Sequence, residues 1–414
     1  MSPAASALLD RLIPGLATSD TPAHRWLRDH GLPTTSDEPW RSTPLDRMLT
    51  GAWNAGPTRS IDRTAVDVLV GAHAGPRLVF VDGVFDGELS DVAGLPGSIS
   101  YRTDTSTPVA AHPARYDAFQ AVNEAASAGA VVIHVAIDAD DTCVADVAVH
   151  VVHLTTGAVS HPRTIVDIED GAHLTLIESY AGTAGSSLTN ASTVLSLGTD
   201  ARLTHRRLVT GPAGATHVGH TAVTQHDGAE LRSWSLLAGV GAARNAIDVV
   251  LGGDRALAEL EGLDLPVGDQ EHDTAITVEH AASQGTSRQR FKGVVDGRAR
   301  TSFGGHVIVA AGTVGNDAGQ TSRSLLLQPT AQADIRPWLE IFADDVRCSH
   351  GATVGRLDEE ALFFLRSRGI PRDEARHMLV GAFAAELLDS LHLPTLRSFV
   401  EATVAGVLAG EPSS

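Results

Sequence analysis

Two residues of this chain, Cys348 and His350, combine types and spacing that suit metal chemistry. Cys348 is one of only two cysteines among 414 residues, and the histidine follows two positions later. The preceding run Trp338-Leu339-Glu340-Ile341-Phe342-Ala343 predicts a strand. If that strand continues to His350, the alternation of side chains places Cys348 and His350 on one face and Ser349 on the other. A thiolate beside an imidazole is half of a site for a transition metal that favours sulfur and nitrogen. The remaining ligands must come from elsewhere in the chain or from another protein.

Each residue also has a more ordinary interpretation, since a single cysteine is often an inert buried thiol and a single histidine is often structural. A second pair, His272 and His280, would also share one face of an extended segment, with Asp273 and Glu279 available to orient the rings. For this second pair we favour an ordinary polar face of the fold over a functional site.

The composition excludes several classes of protein. A formal net charge of −19 at pH 7 argues against nucleic-acid binding, which needs a positive surface. The two cysteines form no disulfide framework, the N-terminus carries no secretory signal, and no apolar run is long enough to span a bilayer. The sequence also lacks a Gly-x-x-x-x-Gly-Lys-Ser/Thr loop, so it predicts no ATP-hydrolysing site of that type in this chain. We expect a cytoplasmic protein with no nucleic-acid or membrane partner.

The elements that must position Cys348 and His350 fall into three regions. Residues 1–60 predict an N-terminal helical region, with Gly31 at a helix C-cap. Residues 61–355 predict a β-rich core of short strands, interrupted by a helix near 116–128. Residues 356–414 predict a C-terminal helical domain, in which acidic residues open the first helix and basic residues close it.

A repeat within the core predicts its architecture. Asp170-Gly171-Ala172-His173-Leu174 is echoed from Thr199, Asp227 and Gly253, at intervals of 29, 28 and 26 residues, and Asp296-Gly297 continues the series after a longer interval. Each copy combines a strand, a tight turn and a strand, a unit that buries its apolar face only when copies stack. The near-constant interval favours a parallel β-helix, or β-solenoid, over a β-sandwich with ordinary hairpins.

Apolar stripes on the C-terminal helices predict packing between helices. Their members are Phe363, Phe364, Leu379, Phe383 and Leu387. We interpret most of them as core, and an exposed stripe for a partner remains the alternative.

Several segments resemble the SufB/SufD family of iron–sulfur cluster assembly proteins. The resemblance is densest from Gln284 to Leu388 and includes the stretches 287–294, 320–327 and 339–370. The N-terminal Gly31-Leu32-Pro33-Thr34-Thr35 and Trp40-Arg41 are also similar to the family. B-type members carry a cysteine where this chain has Ser322, and a glutamate where it has Gly351. The chain therefore resembles the D-type members.

The resemblance implies a right-handed parallel β-helix between N- and C-terminal helical regions. It also implies a non-catalytic scaffold in a complex with a SufB-type paralogue, which pairs through the β-helices, and with the SufC ATPase, which docks on the C-terminal helices. A transient iron–sulfur cluster or iron would be handled at the SufB–SufD interface. His350 matches the residue implicated there, and Cys348 matches the neighbouring family cysteine.

Two alternatives stay open. A homodimer is possible when the paralogue is absent. A β-helix enzyme acting on polysaccharide is a different function for the same fold, although such enzymes are often secreted and no secretory signal is visible.

Overall fold

Two large, mostly parallel sheets form the core of the protein and confirm the predicted β-solenoid. The structure, a computed structural model of the chain, describes residues 3–13, 16–50, 53, 61–104, 116–137, 147–183 and 185–409. From β7 onward the chain alternates between the two sheets, so that each strand pairs in parallel with the strand two further along the chain. This is the stacking that the repeat predicts, and a β-sandwich of hairpins is excluded.

The first sheet contains ten strands. In spatial order they are β2 (Val84–Asp91), β1 (Arg77–Val81), β5 (Ala148–Thr155), β8 (His173–Gly182), β10 (Arg202–Thr210), β12 (Glu230–Ala238), β14 (Leu257–Leu265), β16 (Thr286–Val295), β18 (Asn316–Leu326) and β20 (Val346–Arg356). Among the described strands of this sheet, only the β1–β2 pair is antiparallel. Residues Asp82-Gly83 form the turn between β1 and β2.

The second sheet faces the first. In spatial order its strands are β19 (Gln332–Ile341), β17 (Arg300–Val309), β15 (Glu271–His280), β13 (Ala242–Leu251), β11 (Thr216–Gln225), β9 (Leu188–Leu197), β7 (Arg163–Ile168), β4 (Ala130–Val135) and β3 (Ile99–Asp104), and the short β6 (Val159–Ser160) pairs with β9. Alternate residues of both sheets point inward and form a continuous core of Val, Leu, Ile and Ala side chains.

Helices precede and follow the solenoid. The N-terminal ones are α1 (Pro3–Leu12), α2 (Pro22–His30), a 3-10 turn (Glu38–Trp40), α3 (Leu45–Leu49) and α4 (Arg63–Val70), and α5 (Ala118–Ala126) lies where the sequence predicts an interruption. The C-terminal ones are α6 (Glu359–Ser367), α7 (Arg372–Leu388) and α8 (Pro394–Ala409). None of the helices in the described ranges combines the length and apolar character needed to cross a bilayer.

The corners of the solenoid explain the sequence repeat and show that one predicted copy, at Asp296-Gly297, does not belong to it. Gly171, Asp200, Gly228 and Arg255 have φ between 56° and 72°, and each occupies the corner where the chain passes from the second sheet to the first. Backbone hydrogen bonds join successive corners, such as Gly171 N to Thr199 O at 2.7 Å. Gly297 has the same conformation but lies between β16 and β17, at the opposite corner. Its Asp-Gly pair is therefore not a further copy in the series. It looks like one because both corners contain tight turns, and the same residue types favour a tight turn at either corner.

The C-terminal helices are fixed to the outer face of the first sheet. Trp234 Nε1 donates to the carbonyl of Leu387 at 3.0 Å, and Lys292 Nζ lies 2.6 Å from Glu386 Oε2. Leu387 is buried, whereas Phe363 and Phe364 are 72% and 55% exposed. The core interpretation of the stripe is therefore right for Leu387 and wrong for the two phenylalanines, because α6 does not lie against the sheet.

A charged cluster interrupts the apolar interior between the sheets. Glu178 on β8 is fully buried, and Arg207 pairs directly beside it on β10. Glu178 accepts hydrogen bonds from Tyr180 at 2.8 Å and from Thr193 at 2.9 Å, and lies 3.1 Å from His205 Nε2. Burial alone would raise the pKa of Glu178, but hydrogen bonding and charge from His205, together with Arg207, hold it well below its usual range.

Candidate functional site

Cys348 and His350 both lie on β20, the last strand of the first sheet. The predicted strand does not run unbroken from Trp338 to His350, because β19 ends at Ile341 and β20 begins at Val346. Asp344 and Asp345 occupy the corner between them. The prediction that Cys348 and His350 share a face depends only on their two-residue spacing within β20, so the interruption before β20 does not affect it.

The strand register shows which face carries the pair. Cys348 pairs with Ala318 and His350 pairs with Gln320, and both partners are buried inward-facing residues of β18. Side chains at paired positions of parallel strands point the same way. Cys348 and His350 therefore face the interior side of the solenoid at its last turn, where no further strand among the described residues covers them.

The two side chains have different surroundings. Cys348 is partly buried and packs against an apolar cluster that includes Val307, Val309 and Leu339. His350 is exposed and makes no hydrogen bond or ion pair with any residue that the structure describes. The thiol is thus held in place by packing, while the imidazole remains accessible to a group outside the chain.

Burial is the largest influence on the Cys348 thiol and raises its pKa above the ordinary value. A backbone hydrogen bond with Ala318 opposes this effect, and the negative charge of Asp317 adds to it. The thiol is therefore mostly protonated at neutral pH, and loses its proton most readily when a metal ion binds the sulfur.

This protonation state can be measured by alkylation. In a Cys143→Ser variant, which leaves Cys348 as the sole thiol, we expect the iodoacetamide rate to rise with pH through a midpoint above that of a free cysteine, about 8.5. At pH 7.5 the rate should be about threefold or more below that of a small-molecule thiol such as glutathione. A midpoint near or below neutral pH would contradict the stated environment.

Ser322 and Gly351, the positions on which the resemblance to D-type members was based, do not lie on the same face. Ser322 is buried and faces inward on β18, diagonally next to His350, since it pairs with Ala352. Gly351 alternates to the outer face with Ser349. A side chain at position 322 could therefore contribute to a site with His350, whereas one at position 351 points away from it.

A row of polar side chains behind His350 is a feature that sequence reasoning missed. Gln289, Gln320 and His350 occupy paired positions on β16, β18 and β20. Gln320 donates to Gln289 at 2.8 Å, and its side chain crosses the interior to the point where Gly305 on the opposite sheet leaves room. The buried Oε1 of Gln320 has no hydrogen-bond partner among the described residues. The sequence feature that could have predicted this row is the spacing of 31 residues between Gln289 and Gln320, which places them at inward positions of successive turns.

His272 and His280 share one face of β15, as the spacing predicts, but both are buried on its inner side rather than on a polar face of the solenoid. His272 contacts Asp264 at 2.5 Å, and His280 lies 2.9 Å from the hydroxyl of Ser287. Asp273 does not orient His272, because its carboxylate points to the other face and pairs with Arg244. These histidines satisfy structural hydrogen bonds inside the core.

The last turn also exposes an apolar surface. Ile341, Phe342 and Val354 are 41%, 63% and 47% exposed at this end. Strands β19 and β20 each have one neighbour in their sheet among the described residues, so each presents an edge of backbone groups. The described residues contain no group of three His, Cys, Asp or Glu side chains placed to hold a metal ion.

Comparison with known proteins identifies relatives that match most of the chain. Residues 150–383 match the family model described as the SufBD core domain of the SUF system for FeS cluster assembly. The chain is 31% identical to the iron–sulfur cluster assembly protein SufD of Escherichia coli, over 92% of this chain and 90% of the relative. It is 30% identical to a SufBD family iron–sulfur cluster assembly protein of Synechocystis, over 88% and 85% of the two chains.

Proposed function

This chain belongs to the SufB/SufD family of the SUF iron–sulfur cluster assembly system as a SufD-type member, and we propose that it is a non-catalytic scaffold subunit of a SufB–SufC–SufD complex. The observation that carries the proposal is the open last turn, where an accessible imidazole and a packed thiol lie beside two strand edges that no strand among the described residues pairs with. ATP hydrolysis would belong to SufC, and the chain itself would act in the cytoplasm.

The open turn suits a shared assembly site. Thiolate and imidazole are both established ligands of iron–sulfur clusters. His350 and Cys348 would supply two ligands to a nascent cluster or to iron, and a SufB-type paralogue would supply the rest. A site divided between two chains gives up its cluster readily, because separating the chains removes half of the ligands.

The paralogue would dock on the open end by adding its strands to the edges of β19 and β20. Pairing of backbone groups would satisfy the exposed edges, and the exposed Ile341, Phe342 and Val354 would be buried. The SufC ATPase would bind the C-terminal helices, on which the apolar side chains of Phe363, Phe364 and Met378 are exposed.

Separate variants test the two docking surfaces. We expect Val354→Asp to lower recovery of the paralogue by about tenfold or more in a co-expression pull-down, because a carboxylate would be buried at the pairing edge. SufC recovery should be unchanged. The expected result is reversed for Phe364→Asp, which should release SufC and retain the paralogue.

The control for Val354→Asp is Val84→Asp, because Val84 is 60% exposed on β2 at the opposite end of the same sheet. This variant should retain both partners. Equal recovery of the paralogue with Val354→Asp and with the wild type would refute docking at the last turn. If the isolated chain forms a homodimer through the same end, the same substitution should weaken that homodimer.

A further inference from the structure

The side chain of Gln320 lies directly behind His350 and is only partly used by the rest of the described chain. It is buried on the inner face of β18, and its side chain makes one hydrogen bond among the described residues, the donation to Gln289 on β16. Its amide oxygen Oε1 is buried and accepts no hydrogen bond from any described residue. Because a buried carbonyl oxygen without a donor is costly, Gln320 is a candidate for a role beyond packing.

His350 lies one strand away from this oxygen. Gln289, Gln320 and His350 occupy paired positions of β16, β18 and β20, so the same step of about 4.8 Å separates each residue from the next. This step brings the amides of the two glutamines to 2.8 Å from each other. The imidazole is on the same face, and it can therefore approach the amide of Gln320 in the same way.

The direction of the known hydrogen bond leaves an acceptor for His350. Gln320 Nε2 donates to the preceding turn, so Oε1 is the amide atom that remains for the following turn, to which His350 belongs. The donation also polarises the amide and strengthens its oxygen as an acceptor. His350 makes no hydrogen bond or ion pair with any described residue, and a neutral imidazole has one N–H to donate.

Gly305 on the opposite sheet provides the space that the Gln320 amide occupies. A Cβ at position 305 would overlap Gln320 Nε2, whereas a Cβ at the neighbouring Gly304 would lie 3.8 Å from Trp338. Gly305 itself is buried on the inner face of β17. Interior volume next to the last turn is therefore filled by an amide rather than by an apolar side chain.

We propose that Gln320 is a positioning residue for His350. Its oxygen accepts a hydrogen bond from one N–H of the imidazole when a partner covers the last turn, and this leaves the other ring nitrogen free to bind iron at the shared site. A hydrogen bond to the nitrogen that does not bind the metal fixes both the tautomer and the orientation of a histidine ligand. This role depends on the proposed function, since Gln320 would act only through His350.

Cobalt(II) binding to the complete SufB–SufC–SufD complex tests this role without cluster assembly. The signal is the part of the thiolate-to-cobalt absorption that Cys348→Ser removes. Gln320→Leu removes the acceptor at similar size, and should raise the Kd for cobalt about tenfold or more. Gln320→Glu keeps an acceptor, to which Gln289 can donate through its unused Nε2, and should stay within about threefold of the wild type. The reverse order would show that Gln320 only fills the core, where leucine is tolerated better than a carboxylate, and would overturn the proposal.

Two adjacent glycines provide a matched pair of variants that leave Gln320 and His350 unchanged. Gly305→Ala adds a methyl group in the space of the Gln320 amide, and should weaken cobalt binding as Gln320→Leu does. It carries the test if Gln320→Leu does not fold. Gly304→Ala adds the same group near Trp338 on the outer face, and should bind cobalt as the wild type does. Equal affinities for the two glycine variants would contradict positioning by the amide.

The His350→Ala background separates a failure of this role from a failure of the proposed function. In that background Gln320→Leu should weaken cobalt binding no further, because its effect passes through the imidazole. A further loss, or wild-type affinity of Gln320→Leu in an intact complex, would overturn the role of Gln320 alone. If His350→Ala binds cobalt as tightly as the wild type, the proposed shared site fails, and the role of Gln320 fails with it.

Discussion

Replacing His350 with alanine is expected to slow iron–sulfur cluster formation by the complete SufB–SufC–SufD complex about tenfold or more, while the complex still assembles. The imidazole is exposed, faces the open end of the solenoid and has no partner among the described residues, so its removal costs the chain little stability. It would cost the proposed shared site one of its ligands. The measurement is the initial rate of cluster formation, followed by visible absorbance, with complex integrity checked by size-exclusion chromatography.

Ser349→Ala is the matched control for this prediction. Ser349 lies on the same strand, one residue away, and its side chain points to the outer face. The control complex should form clusters at the wild-type rate. If His350→Ala also forms clusters at that rate in an intact complex, His350 is not part of the mechanism, and the scaffold proposal then rests on the docking surfaces alone.

The sequence allows prediction of the orientation of this site but not of its surroundings. Alternation along a strand is local, and therefore Cys348 and His350 could be placed on one face despite the unpredicted corner at Asp344-Asp345. Whether that face is covered depends on which strand is last in the stack. That is a property of the whole topology, so the exposure of His350 and the row formed with Gln320 could be read only from the register.

The fold, too, could be predicted where it depends on local sequence and not where it depends on the whole topology. The tight corners at Gly171 and Gly228 have a local turn signature, and their regular interval predicts the solenoid. The same signature at Gly297 misleads, because a corner on the opposite side uses identical chemistry. His272 was expected on a polar face of the fold, yet it lies at an inward position of β15 and contacts Asp264 in the core.

The buried cluster around Glu178 could not be predicted from the sequence. The sequence of a strand with inward-facing charged residues does not differ in pattern from that of a strand whose charged residues face solvent. Glu178 and Arg207 each occupy an inward position, and each can be buried only because the neighbouring turn supplies the opposite charge. His153 in the same cluster is buried beside Tyr180, and burial lowers its pKa to about 4. Such a pairing depends on register between turns about 29 residues apart.

Glu178→Gln is expected to destabilise the chain by about 3–5 kcal/mol at pH 7, because it leaves Arg207 buried without its counter-charge. Glu259→Gln, on the surface of β14, removes a carboxylate 3.5 Å from Arg232 and should cost no more than about 0.5 kcal/mol. Urea-induced unfolding followed by circular dichroism measures both values. Equal unfolding midpoints for the two variants would contradict the argument.

The pH dependence of this difference gives the sharper test. The folded-state pKa of Glu178 is held below its unfolded value of about 4.3, so its carboxylate contributes stability that is fully present above that pH. The contribution is lost as the pH falls toward the folded-state pKa. The difference in unfolding free energy between wild type and Glu178→Gln should therefore be constant from about pH 6 to pH 8 and shrink below about pH 4.5. A difference that grows on acidification would mean that Glu178 is buried in its neutral form, and that Arg207 is stabilised by the Tyr180 ring and Thr221 rather than by the carboxylate.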